Sequence, residues 1–113
     1  MSNIKNKLSL YRERSCVIAN KKIEIEKMII NGRDPKDNKI KQLELQIKGL
    51  ELENKKVENI VKLLPNKYYE IVNLIYLEGK GKREVAKKLD RTERQINYSI
   101  NKALQRLSKN FMD

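Results

Sequence analysis

Apolar residues recur along the first half of the chain at alternating steps of four and three. Ile4, Leu8, Tyr11, Ser15, Ile18, Lys22, Ile25 and Ile29 form one row, with Ser15 and Lys22 as polar interruptions. Ile40, Leu43, Ile47, Leu50, Asn54, Val57, Val61 and Leu64 form a second, interrupted at Asn54. This spacing keeps one stripe of a helix against a partner helix, whereas a strand would need alternation by two. The rows predict helices over 3–30 and 35–64. Between them Asn31-Gly32 is a helix stop. Asp34-Pro35 with Asp37 reads as a start: a cap, a proline in the first turn, and an acid at the positive helix end. A connection this short suits antiparallel neighbours.

The register follows from numbering. Pairing 4 with 64, 8 with 61, 11 with 57, 15 with 54, 18 with 50, 22 with 47, 25 with 43 and 29 with 40 gives sums of 68 or 69 throughout. The midpoint is then residue 34, inside the turn signals. Ser15 falls opposite Asn54, so the polar interruptions share a layer, and a polar residue buried in such a seam fixes register at a cost in stability. Lys22 opposite Ile47 weakens the seam locally, although its stem can lie along apolar surface. The alternative is that each helix pairs with its own copy in another chain. Off the seam lie Leu10, Val17, Met28 and Ile30 on the first helix and Leu45, Leu52, Ile60 and Leu63 on the second. A lone hairpin leaves these wet, so either the rest of the chain covers them or a second hairpin does, and a homodimer is expected.

Pro65 separates this antiparallel coiled-coil hairpin, residues 1–64, from a second module, residues 65–113. In the second module Tyr68 to Leu77 reads as a short helix, broken at Gly79 and Gly81. Residues 82–89 form another, followed by a turn at Asp90-Arg91. Thr92-Glu93-Arg94-Gln95 is a capping box that opens a helix from 93 to about 107–109. That last helix gathers Ile96, Ile100, Ala103, Leu104 and Leu107 on one face. A short helix with small Ala86 at its centre, a tight turn and a longer capped helix is a helix-turn-helix arrangement. The fold class is therefore all α.

Charge adds a partner to this picture. The chain has 113 residues with 26 Lys+Arg against 15 Asp+Glu, a net charge of +11. The excess is shared by both halves, with 15 basic and 9 acidic residues in 1–64 and 11 and 6 in 65–113. A chain so short and so basic favours a polyanion, and nucleic acid before a membrane. Arg94, Asn97, Tyr98 and Asn101 share the polar face of the last helix and carry the fork donors, amides and aromatic ring that a major groove can use. They are the expected base contacts on double-stranded DNA. Lys80, Lys82, Arg83, Lys87, Lys88, Arg91 and Lys102 surround them as expected phosphate contacts.

Other chemistries are disfavoured. There is no His and one Cys, Cys16, which removes Cys/His metal sites, Cys–His nucleophile pairs and intrachain disulfides. No catalytic residue, metal site or cofactor is expected, and the protein is not read as an enzyme. The first residues lack the apolar core of a signal peptide, and no apolar run approaches a membrane span. A cytoplasmic protein with a reduced thiol is the simplest expectation.

Tyr76-Leu77-Glu78-Gly79-x-Gly81-x-x-Glu84-Val85-Ala86-x-x-Leu89-x-x-Thr92-x-x-x-Ile96, continued by Ile100, Ala103, Leu104 and Leu107, resembles region 4 of bacterial sigma-70 factors. The resemblance implies a helix-turn-helix that reads promoter DNA and touches RNA polymerase. The departures are Gly81 where the family favours Ser or Thr as cap, Asp90 in place of the common turn Gly, and Arg91 in place of an apolar turn residue. Sigma region 2 has no room in this chain, so a complete sigma factor is not expected. A coiled-coil hairpin joined to such a module also resembles the small phage transcriptional regulators of the ArpU/RinA type, which implies a phage or prophage regulator with host RNA polymerase as a further partner. Two alternatives are a small-terminase-like subunit that recognises phage DNA for packaging, and a coiled-coil adaptor without DNA.

Overall fold

The computed structural model describes residues 3–110. Five α-helices follow in order: α1 (Asn3–Ile30), α2 (Asn38–Val61), α3 (Asn66–Val72), α4 (Lys82–Lys88) and α5 (Glu93–Asn110). A π-helical turn, Asn73–Leu77, continues α3. No strand occurs among the described residues, and no helix among them is long and apolar enough to cross a membrane. The chain is all α, as the periodicity predicts.

The described residues pack as two compact units. One joins 3–12 to 57–110, and the other is Glu13–Lys56. This division does not fall at 64/65. Ile4 and Leu8 of α1 and Val57 and Val61 of α2 share one apolar cluster with Leu64, with Tyr68 and Val72 of α3 and with Ala103 and Leu107 of α5. The foot of the helical pair and the C-terminal helices thus have a common core. Ile60, off the seam, packs against it too. A second cluster, Ile71, Leu74, Val85, Ala86, Ile96 and Ile100, holds α3, α4 and α5 together.

Within Glu13–Lys56 the helices run antiparallel with the polar layer where the register places it. The Asn54 amide Nδ2 donates to Ser15 Oγ at 3.1 Å, and its Oδ1 accepts from Arg14 Nε at 2.7 Å. Buried Asn54 therefore has partners on both sides of its amide, which removes most of the penalty for burying it. Lys21 donates to Gln46 at 2.8 Å, and Lys22 lies 3.4 Å from Glu51 on the surface. Lys22 faces water rather than Ile47, whose side chain is buried. Near the loop the seam opens on one side, with Ile40 buried and Ile29 43% exposed.

The connection is longer than the sequence suggests, and α2 starts at Asn38 rather than 35. Gly32 at φ +93° ends α1, with Arg33 N–H donating to Met28 O and Gly32 N–H to Ile29 O, the paired bonds that close a helix around a left-handed residue. Pro35 then serves a β-turn instead of a first helical turn: Asp37 N–H donates to Asp34 O at 2.8 Å. Asp34 accepts from Lys36 N–H, and Asp37 takes over the cap by accepting from Lys39 N–H, both at 2.8 Å. At the other end α2 stops at Val61, three residues early. Leu63 and Leu64 close tight turns onto Ile60 and Val61, because Pro65 bars the helical conformation to the residue before it. Pro65 O then accepts from Tyr68 and Tyr69 N–H, so α3 begins at Asn66, two residues before the expected start.

Candidate nucleic-acid interface

The face opposite the second cluster is built around α5. Thr92 and Gln95 form the reciprocal cap: Thr92 N–H donates to Gln95 Oε1 at 2.9 Å, and Gln95 N–H donates to Thr92 Oγ1 at 3.1 Å. This satisfies two amides that a helix start leaves unpaired and pins the first turn of α5. Ile96, Ile100, Ala103 and Leu107 are buried and Leu104 is half-buried, so the opposite face is fixed outward by packing. Arg94, Asn97, Tyr98 and Asn101 lie on that outward face, all exposed, Tyr98 by 63%. The structure brings these four together over two turns of one helix.

The turn before α5 depends on Asp90, whose φ is +55°. That left-handed conformation is one Asp tolerates better than most residues, and glycine needs no tolerance at all. Asp90 therefore makes the turn that a Gly would make at this position. Arg91 N–H donates to Ala86 O at 2.9 Å across the turn, and exposed Arg91 needs no apolar pocket. Gly81 stands at the start of α4 in extended conformation with no side-chain cap, and Glu84 supplies the acid of the first turn.

Arg83 and Lys87 of α4 and Arg91 of the turn line an open concavity of about 560 Å³, together with Ala86, Asp90, Thr92, Glu93 and Gln95. Lys82 and Lys88, at the two ends of α4, are exposed. Lys102 lies 5.5 Å from the Tyr98 ring centroid, so it stacks beside the outward row instead of standing apart from it. Lys80 differs from the rest. It is half-buried with its Nζ 3.7 Å from Glu84, so part of its charge is already answered.

None of the contact residues expected from the sequence lies on α3. Lys67 of α3, with Tyr68, lines a second concavity beside α5, of about 480 Å³, whose other walls are Arg91, Arg94, Gln95, Tyr98 and Ser99. The sequence shows Lys67 as a basic residue two positions after Pro65, and linear position alone does not tell that α3 begins beside the first turns of α5.

Residues 54–107 match the family model described as Sigma-70, region 4. The region 4-like domain thus starts inside α2 and includes its last turns, in agreement with the shared core of α2, α3 and α5. That family is one of DNA-binding helix-turn-helix domains, and the matched residues include α4, the turn at Asp90 and α5 up to residue 107. No curated protein and no solved structure matches the chain.

Proposed function

We propose that the protein is a sequence-specific, double-stranded-DNA-binding transcription regulator, encoded by a phage or prophage, that reads promoter DNA with the first turns of α5. The observation that carries this reading is the outward row Arg94, Asn97, Tyr98 and Asn101 on a capped helix inside the region 4-like domain. Helix-turn-helix proteins lay such a helix in the major groove with its N-terminal residues at the base edges. Lys82, Arg83, Lys87, Lys88, Arg91 and Lys102 meet phosphates around it, with Lys80 a weaker contributor because of Glu84. RNA polymerase of the host is the second partner, by the same likeness.

The chain works as a homodimer in this proposal. Leu45 and Leu52, one heptad apart on α2, are 72% and 59% exposed, and Gly49 between them on the same face opens onto empty space. A second hairpin laid there removes both leucines from water.

The deciding experiment is binding to specific and scrambled duplexes over a salt series. Arg94→Ala should lower affinity for the specific site by about 1–3 kcal/mol and relax base preference locally. Lys88→Ala should weaken all duplexes alike and reduce the salt slope by about one ion. Equal losses on both duplexes for Arg94→Ala would move base reading to another surface. Salt-independent binding, or none, would leave the adaptor reading in its place.

A further inference from the structure

The first turns of α5 have a basic concavity on each flank. On the α4 side Arg83, Lys87 and Arg91 share the wall with Asp90 and Glu93. On the α3 side Lys67, Arg91 and Arg94 line the wall with Tyr68, Gln95, Tyr98 and Ser99, and no carboxylate joins them. The α3-side groove is therefore the less neutralised of the two.

Lys67 also lies against an aromatic ring. Its Nζ lies 5.1 Å from the centroid of the Tyr68 ring, and the Arg106 guanidinium lies 5.4 Å from the same centroid. Tyr68 is buried, so its ring is a fixed platform. An ammonium over an aromatic face is steadied without being neutralised. Among the described residues no ion pair uses Lys67. A cation without an ion pair, lying against an aromatic ring beside two arginines in a groove free of acids, suits an anion.

The width of DNA says which anion. A helix with its side chains is roughly 10–12 Å across, and the major groove is about 12 Å wide. A helix seated there has one phosphate backbone on each flank. We propose that the groove between α3 and α5 binds backbone phosphates of duplex DNA, with Lys67 as its contact, on the strand opposite the one gripped by Arg83 and Lys87. This rests on the reading of α5 as the DNA-reading helix. It adds α3 to the interface and makes the grip two-sided, with Arg94 between the phosphates and the base edges.

The test uses the full chain, a duplex selected for tight binding and its scrambled counterpart. Lys67→Ala should weaken both duplexes by the same factor and leave base preference unchanged. The wild type should lose about threefold more affinity than the variant between roughly 50 and 200 mM salt, the signature of one phosphate contact. Lys67→Arg should restore the wild-type slope. In ethylation interference, phosphates on both strands should matter for the wild type, and those of one strand should cease to matter in Lys67→Ala. Helicity by circular dichroism confirms that the variant is folded. If the wild type binds but Lys67→Ala keeps its salt slope and its two-strand interference, the α3 groove is not a phosphate site, and the reading of α5 stands. If the wild type binds neither duplex, the DNA-binding reading fails and this inference fails with it.

Discussion

Single side chains set the local chemistry, and Tyr11 is the clearest case. Its hydroxyl donates to Glu58 at 2.7 Å, and burial, followed by this hydrogen bond and the carboxylate charge, raises its pKa from 10 to about 12. The folded state therefore holds the phenolic proton more tightly than the unfolded chain does. This contribution to stability is complete below pH 10 and is lost as pH rises towards 12, where phenolate would face carboxylate. Thermal melts between about pH 9 and 12 should show a steep alkaline fall in Tm. Tyr11→Phe should start lower at neutral pH and fall less steeply. Some fall should remain, because burial also raises the pKa of Tyr76. A variant with an unchanged alkaline profile would place the sensitivity elsewhere.

At the scale of elements, boundaries are decided by the residues that close hydrogen bonds. Asp37 rather than Asp34 caps α2 because Asp34 is already committed to the turn. The exit from α3 is another such point. Glu78 N–H reaches back five residues to Asn73 O and Lys80 N–H six to Leu74 O, and Gly79 between them has φ +77°. A Cβ at Gly79 would meet the guanidinium of Arg12. Gly79→Ala should destabilise by about 1–2 kcal/mol, chiefly from the left-handed backbone, since a guanidinium can swing aside. Urea unfolding checks this, and an Arg12→Ala background should retain most of the loss. If Arg12→Ala abolished the loss, crowding would be its source and the backbone would be unstrained.

At the scale of the whole molecule, the question is what the exposed apolar residues meet. Leu10 and Val17 of α1 and Leu45 and Leu52 of α2 remain on the surface of the single chain. Leu45→Lys with Leu52→Lys removes the proposed interface and spares the seam, because neither leucine contributes to it. Sedimentation should shift from dimer to monomer with helicity kept. A wild type that is monomeric at high concentration refutes the dimer. For a dimer that binds DNA through two domains, loss of dimerisation should also weaken binding to a duplex bearing two sites far more than to a duplex bearing one.

The order of the helices, the facing of Ser15 and Asn54, the capping box at Thr92 and the outward row on α5 were legible in the sequence. Each rests on neighbours in the chain or on a repeat of three and four, which local geometry turns directly into a face. The extent of the region 4-like core was not legible at Pro65, because Val57 and Val61 look like ordinary seam residues until Ala103 and Leu107 pack against them. The place of Lys67 is illegible for the same reason. Its relation to Arg94 and Tyr98 spans distant parts of the chain and exists only once α3 has packed on α5. Local hydrogen bonds and periodicity determine elements and their faces. Apolar burial between elements far apart in sequence decides which faces become one surface, and only the tertiary structure displays that choice.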